Sequence, residues 1–254
     1  MIGAVSGARA LITGMSGTVA PALAAELRAR GAAIMAWDRA AVSPDDERAV
    51  ERHVRESAPT ALVHCGMGDP RWAEHLAACC GRLGIGFIFT SSASVFGPHQ
   101  SGPHGVDAVP EPNDDYGRYK LECERRVLAA NPTACVVRLG WQIALGPGGN
   151  QMVEYCMRRQ REEGHVGVST DWFPACSFLE DTARVLADLL ERPSRGLHQL
   201  DGNPGWDMHR IVCALNRVMG AGWDVRPTND LRMNNMMQDD RLKSASIEDR
   251  LRGG

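Results

Sequence analysis

Several things are scarce in this sequence, and each scarcity excludes a class. No apolar run approaches about 18 residues, so no bilayer-crossing helix is expected. Positive charge is not in excess. The 28 Lys and Arg face 31 Asp and Glu, a formal net charge of -3, which argues against a nucleic-acid partner. The eight cysteines, at 65, 79, 80, 123, 135, 156, 176 and 213, form no Cys-x-x-Cys pair, and no His lies at zinc-finger spacing. Reduced thiols in a cytoplasmic core are therefore expected, with no metal site. The first residues, Met-Ile-Gly-Ala-Val-Ser-Gly-Ala-Arg, lack a charged stretch followed by an apolar one, so no secretory signal is expected. No internal repeat or low-complexity tract occurs. Lysine is rare, present only as Lys120 and Lys243, and tyrosine occurs only three times.

The remainder is ordinary globular material. Hydrophobic residues make up 44% and charged residues 23% of 254, enough to bury a real core. Ala10–Thr13 reads as a buried strand, followed by a glycine turn and a helix from about Pro21 to Arg30. Ala33–Trp37 reads as a second strand. Ser43-Pro-Asp-Asp-Glu47 reads as a helix cap and first turn, with the helix running to about Ser57. Strands are expected at Thr60–Cys65, Gly86–Ser91 and Ala134–Leu139, with helices at about Arg71–Leu83 and Tyr116–Ala130. A Pro/Gly-rich loop spans about Gly97–Pro112. Beyond Gly146 the pattern loosens. One more helix–strand unit fits, Leu179–Glu191 then Gly196–Leu200, and the Trp-, Met- and Asn-rich remainder is expected to cap the sheet's carboxyl edge. Alternation at this pitch means an α/β fold, a doubly wound parallel sheet with helices on both faces.

Gly14-x-x-Gly17-x-x-Ala20 lies between the first strand and its helix. Glycine there permits positive φ and close approach of a phosphate, and the helix N-terminus offers unpaired N–H groups. The spacing alone is weak, because 27 glycines produce about three Gly-x-x-Gly pairs by chance. The context strengthens it, since Asp38 ends the next strand. A carboxylate there can accept both hydroxyls of an adenosine ribose and repel a 2′-phosphate, which slightly favours NAD. Arg39, next to it, could instead greet the 2′-phosphate of NADP. Asp38 could also be a simple turn residue.

Tyr116-Gly-Arg-Tyr-Lys120 opens a predicted helix, so Tyr116 and Lys120 share one face. With so few tyrosines and lysines, about 0.02 such pairs are expected by chance. An ammonium beside a phenol favours the phenolate and lowers the tyrosine's pKa, suiting it to exchange a proton with a carbonyl or alcohol. Upstream, Phe89-Thr-Ser91-Ser92-Ala-Ser94 ends a strand at the same sheet edge. Position alone does not choose among Ser91, Ser92 and Ser94.

Together these residues resemble the extended short-chain dehydrogenase/reductase family, the NAD-dependent epimerase/dehydratase type. The matching segments are Thr13–Ala20, Asp38, Thr90–Gly97 and Tyr116–Lys120 with the following Leu-Glu. Within the nucleotide-sugar branch the chain is similar to dTDP-4-dehydrorhamnose reductases. Support comes from Arg138-Leu-Gly-Trp, Gly149-Asn150, Asp171-Trp-Phe-Pro-Ala-Cys-Ser177 and Asp240-Arg241-Leu242, which fall where that branch keeps substrate-side segments. The resemblance runs from about 9 to 245, specifically through 140 and loosely afterwards. It implies a Rossmann fold at 1–145, regaining 178–201, with a small substrate-binding region from 146–177 and 202–254.

The resemblance also implies roles. Ser92 would hydrogen-bond the substrate oxygen, Tyr116 would be the acid/base, and Lys120 would bind the nicotinamide ribose. Gly14, Ser16, Gly17, Thr18, Val19, Asp38, Arg39, Cys65, Gly66 and Met67 would line the NAD(P) site beside Tyr116 and Lys120. The substrate would be a small molecule, a sugar nucleotide or related carbonyl, in a cytoplasmic enzyme. A homodimer would use the helices at 71–83 and 116–130, although a monomer is also compatible. The chain departs from the family in places. The third glycine is Ala20, Cys65-Gly66-Met67 replaces Asn-Ala-Ala, and the segment from Gly66 to Ile85 is shorter than usual. The Asp-Glu pair of the branch's dehydratases is replaced by Ala93-Ser94, so a 4,6-dehydratase is not expected.

Other features are read more plainly. His99 and His104 are expected to be solvated loop residues. Trp141, Trp172 and Trp206 could stack on a base or sugar or simply pack. Met233, Met236 and Met237 are expected to fill an irregular interface. Arg158, Arg159 and Arg161 are expected on a solvated helix face. Two other functions stay open. One is a reductase of a non-nucleotide ketone. The other is a non-catalytic nucleotide-binding regulatory subunit, although such a subunit would usually have lost the tyrosine or lysine.

Overall fold

The computed structural model describes residues 7–146 and 149–252. The first turn of structure follows the apolar alternation closely. β1 (Arg9–Thr13) leads through Gly14, at φ +79°, into α1 (Val19–Ala29), and Gly31 at φ +86° stops the helix. Pro21 is the helix's third residue, where its missing N–H costs nothing. β2 (Ala33–Ala36) follows. α2 (Glu47–Ser57) begins later than expected, because Asp46 rather than Ser43 is its cap. The Asp46 carboxylate accepts the Ala49 N–H at 3.0 Å, while the Ser43 hydroxyl only accepts from Asp45 two residues on. β3 (Ala61–His64) leads to α3 (Pro70–Leu83), with Asp69 as cap and Gly84 at φ +67° as stop.

β4 (Gly86–Ser92) runs into a single 3₁₀ turn at Ala93–Val95. The Pro/Gly-rich loop contains one short strand, β5 (His104–Gly105). α4 (Asp115–Ala130) is capped by Asp114, whose carboxylate accepts the Gly117 N–H at 2.6 Å. β6 (Cys135–Leu139) and β7 (Trp141–Ile143) follow. The loosely patterned part holds more regular structure than the single unit expected. α5 (Met152–Glu163), β8 (Val166–Ser169), β9 (Trp172–Phe173) and β10 (Cys176–Phe178) precede the expected α6 (Leu179–Glu191) and β11 (Gly196–Leu200). After these come α7 (Met208–Met219), β12 (Val225–Thr228), β13 (Met233–Asn234), β14 (Met237–Gln238) and α8 (Ile247–Leu251). Two further α/β units, α5–β8 and α7–β12, lie in this part, the first with a strongly charged helix surface. Their strands pair in parallel.

Six strands form one parallel sheet in the order β11-β6-β4-β3-β1-β2. After β2 the chain returns across β1 to place β3 on its other side, and the crevice at that reversal, beyond the strands' carboxyl ends, is where such sheets take ligands. Strand alternation sorts the core. Ala10, Ile12 and Val137 face α1 and α6, packing on Leu23 and Leu186. Leu11, Leu62 and Val136 face α2, α3 and α4, packing on Trp72, Leu76 and Val127. A third cluster, including Ile143, Met152, Ile211 and Leu251, belongs to the later elements. No helix among the described residues is long and apolar enough to cross a membrane.

Candidate active site

The glycine turn closes on its own chain. The Gly17 N–H bonds the Gly14 carbonyl at 2.9 Å, and a Cβ on Gly14 would stand 2.7 Å from the Gly66 nitrogen. Only glycine lets the two loops meet this closely. The Thr13 hydroxyl locks them together, accepting the Gly66 N–H at 3.0 Å and bonding His64 Nδ1 at 2.8 Å. Burial pushes His64 down to about 3, so it stays neutral there. Thr18 begins α1 without a side-chain cap, and Ser16 and Gly17 are exposed. The Thr18 hydroxyl instead accepts the Asn150 N–H at 3.0 Å. The first-turn amides of α1 therefore lack a side-chain acceptor, and such N–H groups at a helix start suit an anion.

The end of β2 is arranged differently from its sequence reading. The Asp38 carboxylate accepts the N–H of Ala40 at 2.8 Å, within its own turn. Arg39 lays its guanidinium 4.7 Å from the centre of the Trp72 ring and donates to the Met67 carbonyl. Trp72 is 1% exposed and also meets His64 and Trp37 edge-on. The sequence reading did not single out Trp72, and the available signal was a tryptophan two residues past a helix-opening proline. Burial pushes the Cys65 thiol up to about 11, so it is a neutral wall rather than a nucleophile.

At the carboxyl end of β4 the three competing hydroxyls separate. Ser91 points into the protein and donates to Glu124 Oε1 at 2.5 Å. Ser92 bonds the Ser94 hydroxyl at 3.1 Å and accepts the Ser94 N–H. Of the three serines it is Ser92 that acts on Tyr116, holding its pKa down against the effect of burial. Tyr116 is 42% exposed at the crevice mouth. Lys120 is buried one turn later. Its ammonium donates to the Thr90 carbonyl at 2.8 Å and stands 5.7 Å from the Tyr116 ring centre. Gly117 makes this docking feasible, because a Cβ there would overlap the Ser94 carbonyl.

The protonation of the pair differs from the sequence expectation. Burial raises the Tyr116 pKa above the ordinary phenol value, opposed by Ser92 and assisted by Asp114. Burial also lowers Lys120, opposed by Cys123, Cys65 and Glu124. Lys120 is turned to the strand rather than to the phenol oxygen, so it does not pull the tyrosine down.

The remaining candidates divide. His99 is exposed, but His104 is buried, stacked on Phe96 at 3.9 Å, with Nε2 3.2 Å from the Asn234 carbonyl. The solvated-loop reading of His104 is thus corrected: the β5–β14 pairing draws it inward. Trp141 and Trp172 stack at 5.9 Å and stay half-buried, whereas Trp206 packs under Arg210. Met237 is buried, and Met233 and Met236 are half-buried. Arg158 and Arg159 lie against Tyr155, and Arg159 pairs with Glu163. Among the described residues no group of acidic, His and Cys side chains could hold a metal ion, and all eight cysteines are free.

The fold and its edge define a doubly wound α/β protein with a glycine turn and a Tyr-x-x-x-Lys helix at the sheet's carboxyl edge. The chain belongs to the RmlD substrate-binding domain family, which matches residues 70–213. It is similar to the dTDP-4-dehydrorhamnose reductase of Mycolicibacterium smegmatis, at 29% identity over 200 residues. That match covers 72% of this chain but only 60% of the relative's length. It is also similar to the methionine adenosyltransferase 2 subunit beta of Xenopus tropicalis, at 26% identity over 243 residues, 83% of this chain and 72% of that protein. The fold matches the dTDP-4-dehydrorhamnose reductase of Bacillus anthracis solved in complex with NADP. The TM-score is 0.85 at 18% identity, over 97% of this chain and 98% of that one.

Proposed function

We propose that this protein is an NAD(P)-dependent reductase of a ketone on a sugar nucleotide, with Ser92, Tyr116 and Lys120 as its working side chains. The observation that carries the reading is the placement of Ser92 at the carboxyl end of β4 and of Tyr116 at the crevice mouth, one helical turn before a buried Lys120 whose ammonium stands 5.7 Å from the Tyr116 ring centre. The names of the relatives support the substrate class. The bound dinucleotide would supply a hydride. Gly14, Ser16, Gly17, Thr18 and Val19 would hold its diphosphate on the α1 amides, with Gly66 and Met67 beside its adenosine. Ser92 would donate a hydrogen bond to the substrate's carbonyl oxygen. Tyr116 would give that oxygen its proton, and Lys120 would hold the nicotinamide ribose. A phenol held above its ordinary pKa is protonated throughout the physiological range, which suits donation and hence reduction.

The cofactor form follows from the β2 end. Asp38 is engaged in its own turn and Arg39 stands at the mouth, so the geometry supports NADPH beside NADH rather than NADH alone. Homodimerisation through α3 and α4 belongs to the same reading, and sedimentation would test it.

The direct test is turnover of dTDP-4-dehydrorhamnose with NADH or NADPH, followed by loss of the reduced nicotinamide absorbance. Tyr116→Phe is expected to lower kcat by at least about a hundredfold with cofactor affinity nearly unchanged. Wild-type rates in that variant would sink the mechanism. Cofactor binding with no turnover of any nucleotide-linked ketone would move the weight to a non-catalytic, nucleotide-binding regulatory subunit.

A further inference from the structure

Consecutive residues of β4 meet α4 at successive turns. The Thr90 carbonyl accepts from Lys120, the Ser91 hydroxyl donates to Glu124, and Ser92, next along, holds the Tyr116 pKa down against burial. Residues 116, 120 and 124 form one stripe down α4 at i, i+4 and i+8. The third point is the best anchored. Arg138 on β6 makes a fork on Glu124, Nε to Oε1 at 2.9 Å and Nη2 to Oε2 at 2.8 Å, with both side chains almost wholly buried. The remaining Arg138 nitrogen, Nη1, reaches Gln199 Oε1 at 3.2 Å on β11. The Gln199 amide then donates to the His104 carbonyl at 2.8 Å and to that of Gln238 at 3.3 Å, in the β5–β14 pair.

Apolar packing of α4, through Leu121, Cys123 and Val127, has no preferred direction along the helix axis. Directional bonds to a buried carboxylate do. We infer that Ser91, Glu124 and Arg138 are positioning residues, which fix the axial register of α4 on β4 and so place Tyr116 and Lys120. We infer further that Gln199 ties the β5–β14 pair to the same anchor. None of the four touches the crevice chemistry. Their effect runs through Tyr116 and Lys120 on one side and through β5–β14 on the other. A displacement of about 1 Å at a reacting group can cost about a hundredfold in rate, so a small slide of α4 would be felt. The inference rests on the reductase reading for its kinetic arm only.

Two variants separate the two ties. Ser91→Ala removes one bond to Glu124 and leaves the Arg138 fork in place. It is expected to lower kcat about tenfold or more, with substrate KM within about twofold. Gln199→Met keeps the side-chain length and removes the polar tie. It is expected to raise substrate KM with a smaller change in kcat. Ser91→Thr, which restores the hydroxyl, should recover most of the lost kcat. A second readout needs no substrate. The sequence has two lysines, Lys120 and the exposed Lys243, so isotope-labelled lysine gives two side-chain nitrogen signals. Ser91→Ala should shift the Lys120 signal and leave that of Lys243 in place. If the wild type turns over no substrate, the reductase reading falls, and the lysine signals still decide the positioning role. If Ser91→Ala leaves the Lys120 signal and kcat unmoved while lowering only the melting temperature, the positioning role is overturned.

Discussion

Arg39 stands where two cofactors would differ. Arg39 is exposed, its guanidinium lies 4.7 Å from the Trp72 ring centre, and it packs so close to Gly66 that a Cβ there would stand 3.2 Å from Nη2. Arg39→Met keeps much of the apolar contact with Trp72 and removes the charge. It is expected to weaken NADPH about tenfold, or about 1.4 kcal/mol, and NADH by less than twofold, read by fluorescence titration. Equal losses for both would remove Arg39 from a 2′-phosphate. The sequence placed Asp38 and Arg39 at the correct strand end. It could not show that Asp38 is spent on Ala40 N–H, because an acid at a strand end reads the same in either state. Likewise Ser91, Ser92 and Ser94 are indistinguishable by position. Strand pleat and the buried partner Glu124 sort them, and both are properties of the folded chain.

At the scale of an element, α2 shows how a helix start is decided. Ser43-Pro-Asp-Asp-Glu offers three candidate caps within four residues. Asp46 wins because its carboxylate reaches the Ala49 N–H, and it also sets Val50 and Val54 on the buried face. Asp46→Ala should cost about 1 kcal/mol of stability, measured by urea denaturation, whereas Ser43→Ala should be within about half of that. α6 and α3 were legible to within a residue, whereas α7, equally two-faced, was missed. α5 was missed as well, because its surface carries Arg158, Arg159 and Arg161 and its buried residues are few.

Across the whole molecule, the segments joined late in the chain are held by one carboxylate. Asp201 Oδ1 accepts from Cys176 N–H at 3.0 Å and Asn203 N–H at 2.9 Å, while Oδ2 accepts from Met237 N–H at 2.9 Å. Burial nevertheless pushes Asp201 up to about 6, from an ordinary value of 3.8. The folded state then binds this proton more readily than the unfolded chain. Its contribution to stability rises as pH falls from about 6 toward 4, and above about 6 the full cost of the buried charge is present. Asp201→Asn should remove that slope. Relative to wild type, the variant should lose ground by up to roughly 3 kcal/mol between about pH 8 and pH 4, measured by denaturation midpoints. A constant offset across that range would show that Asp201 titrates normally. No single sequence segment announces this knot. Its parts, at 176, 201–203 and 237, meet only in three dimensions.

The pairing of β6 with β11 has a consequence for how the chain is made. The two strands run side by side, yet Arg138 and Gln199 are 61 positions apart. While the chain grows from its amino end, β6 can dock on β4 as soon as it emerges, but its other edge stays bare until β11 is synthesised. That edge belongs to Cys-Val-Val-Arg-Leu, a strand buried along its full length in the finished sheet. An uncovered apolar edge is a template for pairing with another chain. The nascent protein therefore carries its own aggregation hazard through the synthesis of about sixty residues, and the last strand of the six-stranded sheet is the one that retires it.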